Sequence, residues 1–354
     1  TMSTLFGGLS ADPLSVKAVQ WISTMSGLWN VAVTWLILWT LFPTASRLRT
    51  LGFSVAAMLP MGFYMNAMVN NEIFAASLIG TAIWLVLRNG FGQPRNWRGG
   101  AVIGLVCGLA LLSRYTALFV FLSVFMLSAL RLATRRRICH PTIVAVVLAL
   151  VMCGWYYARN AWQFHDPFVG NWDNTSGFHY EQQPGYRTLD FYTHFGSVFL
   201  DHPERSLWAS FGDGLYASAW TDAHGTFLDM NDVTTQVVAG IILMLALLPS
   251  VAIAMGFSQS VGWLIQRDWD HPYLILVVTS LLTFFSVIAF TMEVPFFSTV
   301  KSTFLLSLIP AISVFAGLGL DTLCHSLGRG RWVLYGNLGV LYTLILYLFW
   351  YRGT

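Results

Sequence analysis

Charge is scarce in this chain. Only 10% of its 354 residues are Asp, Glu, Lys or Arg, against roughly 25% in an average soluble protein, while apolar residues reach 56%. A water-facing fold cannot hide so much apolar surface, so lipid must be the solvent. One bundle of spanning helices then replaces the two or three globular domains the length would otherwise suggest. Cysteine is scarce too. Cys107, Cys139, Cys153 and Cys324 lie in or beside apolar runs, and none falls in the long polar interval, so no disulfide framework is indicated. Also lacking are a P-loop, a dinucleotide fingerprint and a G-x-S-x-G, which leaves nucleotide-driven pumping and serine hydrolysis without support. There is no internal repeat and no low-complexity tract. Residues 1–16 have neither the basic start nor the apolar stretch of a cleavable signal peptide.

What is present is a series of apolar runs. A bilayer core of roughly 30 Å needs about 20 apolar residues per helix. The runs place spans near 18–42, 50–69, 71–88, 99–113, 115–133, 141–162, 234–257, 271–292, 299–321 and 332–351. The expected fold is therefore all-α, a polytopic membrane bundle of about ten spans. Three regions follow: six spans over 1–162, a large extracytoplasmic loop with short amphipathic helices over 163–233, and four spans over 234–354. The loop is too rich in aromatic residues for a disordered linker.

Basic residues gather on the cytoplasmic side of membrane proteins. Arg88, Arg95 and Arg98 precede the interval 99–133, and Arg131, Arg135, Arg136 and Arg137 follow it. Both clusters share one side only if the interval crosses twice, which makes Ser113-Arg114-Tyr115 a tight outer turn. With Arg47, Arg49, Arg267, Arg329 and Arg331, twelve of the nineteen Lys and Arg residues fall in alternate loops. Both chain ends and the long loop then face a periplasm or a lumen, that is, the outside of a bacterial inner membrane or an endoplasmic reticulum membrane. Asn174-Thr175-Ser176 in that loop is a glycosylation sequon.

Several polar groups sit where chemistry could occur. In CGWYYARNAWQFHDPF, Cys153 to Phe168, Arg159 and Asn160 close the sixth span, and His165 and Asp166 begin the loop. The stretch reads either as an interfacial aromatic belt with a snorkelling Arg or as an anion site. Asn70-Asn71-Glu72 reads as a helix cap or as amides and an acid suited to sugar hydroxyls. Lys301, just inside the ninth span, is either a functional cation or a snorkelling one, and Arg114 has the same two readings. In FGDGLYASAWTDAHG, Phe211 to Gly225, Asp213, Asp222 and His224 stand among aromatics, a setting that suits carbohydrate. Five of the eight histidines, His165, His179, His194, His202 and His224, lie in the loop. No H-x-x-x-H or C-x-x-C spacing appears, so a divalent metal is possible but unsupported.

In this order the pieces resemble the polyprenol-phosphate-sugar-dependent glycosyltransferases of the GT-C fold, a superfamily that includes protein O-mannosyltransferases and lipid A aminoarabinose transferases. Lys17-Ala18-Val19-Gln20-Trp21 resembles the basic start of the family's second helix. Val69-Asn70-Asn71-Glu72 is similar to its N-N-D/E turn, and Leu112-Ser113-Arg114-Tyr115-Thr116-Ala117 to its hairpin turn. Gly154-Trp155-Tyr156-Tyr157-Ala158-Arg159-Asn160 with His165-Asp166-Pro167 is similar to its G-W-W-x-x-R-N…G-D-P segment. Lys301-Ser302-Thr303-Phe304-Leu305 through Pro310 stands where many members have R-Y-L-x-P.

The resemblance implies inverting transfer of a sugar from a polyprenyl-phosphate donor to a protein, lipid or glycan acceptor, with the bilayer as the other partner. No further cofactor is required and nucleic acid is not a partner. It implies that Lys301, Arg159 and Arg114 hold the lipid phosphate. Asn70, Asn71, Glu72 and Asn160 would line the sugar site, and His165, Asp166, Asp213, Asp222 and His224 would face the acceptor. The family's acidic base would lie before residue 1, Asp12 being a poor substitute, so the chain reads as lacking the family's first helix and acidic loop. The alternatives are a catalytically inactive membrane subunit or fragment and a lipid or solute transporter. Transporters often show paired repeats and broken mid-membrane helices, and neither is visible.

Overall fold

A computed structural model describes residues 13–89, 97–135, 140–168, 187–200, 203–225, 227–266, 271–294 and 299–352. Asp12, the Asn174-Thr175-Ser176 sequon, Cys139, His179, His202, Arg95, Arg136, Arg137 and Arg267 lie outside the described residues. The helices are α1 (Pro13–Leu41), α2 (Ser46–Ala57), α3 (Pro60–Ala67), α4 (Glu72–Arg88), α5 (Trp97–Ser113), α6 (Leu118–Arg135) and α7 (His140–Phe164). Short α8 (Leu189–Thr193), α9 (Ser206–Ala209) and α10 (Phe211–Trp220) follow. The chain closes with α11 (Val233–Ile265), α12 (Tyr273–Glu293), α13 (Ile309–Leu327) and α14 (Arg331–Leu346). Among the described residues there is no strand, and the fold is an all-α bundle.

Helix occupies every interval expected to span. Among the described residues, however, five stretches meet the length and hydropathy of a crossing on their own, and Trp97–Ser113 and Tyr115–Leu127 are shorter apolar helices. The second expected span is two helices. Leu59 is extended before Pro60, because the proline ring disfavours a helical residue ahead of it and removes a backbone donor. The ninth differs as well. Lys301 is extended, and Ser302–Leu308 is a tight 3-10 run before α13.

The helix directions show how the bundle is threaded. Trp29 Nε1 donates to Thr81 Oγ1 at 2.9 Å and Ser23 Oγ to the Asn70 carbonyl at 3.4 Å, so α1 and α4 run parallel. Helices α5 and α7 also run parallel. Gly100, Gly104 and Gly108 press on the backbone or side chains of Pro141, Ala145, Ala149 and Met152, with no room for a Cβ. Such small-residue seams let helices approach closely in lipid, where dispersion and backbone contact drive association. Helix α13 runs antiparallel to α2. Gly52 meets the Ser313 carbonyl, and Arg47 Nε donates to Asp321 Oδ1 at 2.6 Å. Helix α13 also bears α11 on its small residues, Gly256 lying on the Phe315 backbone and Gly319 on that of Ala252. It contributes to both large buried clusters of the bundle. Helices α1 and α4 thus share a direction, as do α5 and α7, while α13 opposes both α2 and α11. Glu72, Arg114, Lys301 and the described residues of 187–232 lie toward one end, and Arg47, Asp321 and His325 lie at the other.

Candidate functional site

Three expected site residues meet at the Glu72 end. Glu72 opens α4, where a carboxylate suits the helix dipole. Its Oε1 lies 2.5 Å from Nη1 of Arg114 in the turn between α5 and α6. Both side chains are largely buried, 18% and 15% exposed, so solvent screens the pair less than a surface one. Asn71 reinforces the junction by donating from Nδ2 to the Ser113 carbonyl at 3.2 Å. Glu72 Oε2 is buried without a hydrogen-bond partner among the described residues. Lys301 completes the cluster. Its ammonium lies 6.0 Å from the Phe304 ring centroid, and the Arg114 guanidinium lies 5.4 Å from the same ring, within reach of its π face.

The electrostatics are asymmetric. Lys301 is half-buried between Glu72, which attracts its charge, and Arg114, which repels it. Burial brings His224 down to about 4, with a smaller push in the same direction from Lys301, so the imidazole is neutral near pH 7. Its Nε2 is buried and has no hydrogen-bond partner among the described residues. Two cations against one carboxylate leave a positive charge facing a half-buried site, which suits an anion.

Other expected residues serve the backbone instead. Asn70 accepts from the Ile73 amide at 3.0 Å and donates to the Met65 carbonyl at 2.6 Å, so it braces the turn before α4. Asp213 and Asp222 bond within their own loop. Asp213 is fully buried, and its carboxylate accepts from the Gly196 and Ser197 amides and the Ser210 hydroxyl. Ser210 in turn caps α10 by accepting from the Asp213 amide. Asp222 accepts from the Phe227 and Leu228 amides and fastens that turn. Burial commits a carboxylate to the donors nearest in its own loop. Asn160 is buried and points its amide toward the Pro167 carbonyl at 3.5 Å. Arg159 is exposed on α7, and no contact among the described residues ties it to Lys301 or Arg114. His165 is exposed with φ of 58°, a left-handed residue that stops α7.

Beside the cluster lies a cleft of about 380 Å³ lined by Tyr115, Phe168, Phe290 and Phe304 together with Asp166 and Glu293. Asp166 also accepts from the Phe168 amide at 2.8 Å. Glu293 is a site residue the sequence reading passes over, although an acid closing an apolar span is itself a signal. Arg187 is another. It donates to the Thr291 carbonyl and to Thr299 Oγ1, pinning both ends of the segment that leads to Lys301, and nothing local in the sequence marks it. A larger cavity of about 510 Å³, on α11 near Val198 and Phe199, is mostly apolar. Its single amide, Gln236, is held by the Met230 carbonyl. Among the described residues, no three His, Cys, Asp or Glu side chains converge to hold a metal ion.

No protein-family profile matches the chain, and no curated protein matches it. Its backbone is similar to the crystal structure of ArnT from Cupriavidus metallidurans. The identity is 16% and the TM-score 0.47, over 93% of this chain and 50% of that one. It is likewise similar to the Archaeoglobus fulgidus oligosaccharyltransferase. That match has 13% identity and a TM-score of 0.48, over 98% of this chain and 42% of that one. The chain thus spans about half the length of these structures, or less.

Proposed function

We propose that this protein is a membrane glycosyltransferase that moves a sugar from a polyprenyl-phosphate carrier to an extracytoplasmic acceptor with inversion. The observation that carries this reading is the meeting of Glu72, Arg114 and Lys301 around Phe304 at one end of the bundle, each on a stretch that resembles a GT-C motif. A lipid phosphate reaching this end of the helices meets two cations that are already ordered. The acceptor hydroxyl attacks the anomeric carbon from the face opposite the phosphate, forming the new bond to carbon as its proton is lost to solvent. The bond from that carbon to the phosphate oxygen breaks, and its electron pair stays on the phosphate. Lys301 and Arg114 stabilise that developing charge in a half-buried setting, where such groups act more strongly than in water. Glu72 holds Arg114 in place, and neutral His224 lies on the Lys301 side as a group able to hydrogen-bond sugar or acceptor hydroxyls.

The test is transfer of label from a set of polyprenyl-phosphate sugars by the full chain in liposomes. Retention of label on the carrier by Lys301→Ala, where wild type releases free polyprenyl phosphate, supports the reading. Wild-type release from Lys301→Ala, or no release by wild type with any carrier sugar, removes it.

A further inference from the structure

The cleft next to the cluster has its own chemistry. Its rings, Tyr115, Phe168, Phe290 and Phe304, come from the α5–α6 turn, the segment after α7, the end of α12 and the 3-10 run. Among the described residues its charged lining is Asp166 and Glu293, both exposed, with no Lys, Arg or His. The rings are mutually braced: Phe168 lies 6.4 Å from Tyr115 and 5.5 Å from Tyr157, and Phe304 lies 5.4 Å from Phe290. Aromatic faces and carboxylates both attract an organic cation, the rings through their quadrupole. The position matters as much as the composition. Ser286, Val287 and Ala289 carry the lining along α12 away from Glu293, and Leu118 adds to it from α6, so the cleft passes from a charged mouth to a mostly apolar foot. Past Phe304 stand Arg114 and Lys301, which suit a phosphate.

The geometry points to a second binding site here, for the headgroup of a membrane phospholipid carrying a primary ammonium, with phosphatidylethanolamine as its occupant. The ammonium lies between the Asp166 and Glu293 carboxylates against the rings, and the glycerol end follows the apolar foot along α12. A primary ammonium donates hydrogen bonds to both carboxylates, which the quaternary ammonium of phosphatidylcholine cannot do. A phosphatidylglycerol headgroup, which has no cation, meets two like charges. The site does not depend on the transfer reaction.

The experiment is native mass spectrometry of the full chain extracted from vesicles of equal phosphatidylethanolamine, phosphatidylcholine and phosphatidylglycerol. Wild type is expected to retain phosphatidylethanolamine several-fold above its share, and D166N/E293Q to retain it at its share. Retention in proportion to the mixture, preference for phosphatidylglycerol, or equal retention of the choline lipid by wild type overturns the proposal, as does undiminished enrichment in the double variant. A second measurement needs no variant: phosphatidylethanolamine added to delipidated wild type should raise its melting temperature more than phosphatidylglycerol does, and equal shifts count against the site. Both readouts follow lipid retention, so they succeed or fail separately from any sugar-transfer assay.

Discussion

Glu72 and Arg114 are 42 residues apart in the chain and 2.5 Å apart in the fold. The pair joins the start of α4 to the turn between α5 and α6, and it fixes the guanidinium beside Phe304. Removing one partner leaves the other charge buried and uncompensated, which typically costs about 3–5 kcal/mol. Glu72→Gln and Arg114→Gln should each lower stability in detergent, and the double variant should lose less than the sum. A double-mutant cycle that returns no coupling beyond about 0.5 kcal/mol contradicts the pairing.

Lys301 lacks such an anchor but lies where departing charge would gather. Losing one donor to a developing anion typically reduces turnover about 10²–10³-fold. Lys301→Ala should show that loss with the melting temperature little changed, and Lys301→Arg should recover part of it. Single-turnover rates with a lipid-linked sugar measure both.

Asp213 carries the opposite expectation. Its carboxylate holds two amides and a hydroxyl in a buried loop, and an orphaned buried donor costs about 1–3 kcal/mol. Asp213→Ala should lower the melting temperature while the protein that remains folded keeps its transfer rate. A large fall in rate at unchanged stability returns Asp213 to the site.

The His224 imidazole titrates near 4 in the folded chain, below about 6.5 for an unperturbed histidine. Between those values the unfolded chain binds more protons than the folded one, so stability falls as pH drops from about 6.5 to 4. The wild-type melting temperature should decline through that window, and His224→Gln should decline less. Parallel curves for the two proteins refute the assignment.

The direction of insertion can be read by thiol labelling. Cys107, Cys153 and Cys324 are buried, so replacing Cys139 leaves a quiet background. An impermeant maleimide added from outside the cell should label Asn231→Cys and spare Arg329→Cys; the reverse pattern inverts the topology.

Much of this was written plainly in the chain. The arginines on either side of 99–133 point to a hairpin, and α5 and α6 meet at the expected turn. Pro60 lies within an apolar run, and hydropathy alone passes over the break it makes. Lys301 reads as a helical residue because the apolar run from Phe304 onward carries the polar stretch Thr299 to Thr303 into the same hydropathy window, yet the helix proper begins at Ile309. Glu72, Arg114 and Lys301 are each conspicuous as charges in apolar context, but their meeting depends on how three crossings pack, which no local pattern encodes. In the same way the backbone amides that Asp213 and Asp222 hold leave no trace in composition.

The parallel seams bear on how this bundle is built. Helix α5 finds its close partner in α7 and α1 finds one in α4, and parallel neighbours cannot be consecutive crossings. In a chain inserted from its N-terminus, α5 must wait for α6 to cross and for α7 to follow before its glycine face is covered. Packing therefore lags behind insertion, and each half-built intermediate displays a strip of small residues to lipid. A change such as Gly104→Leu would act at that waiting step, leaving α5 in the membrane with no surface on which α7 can settle.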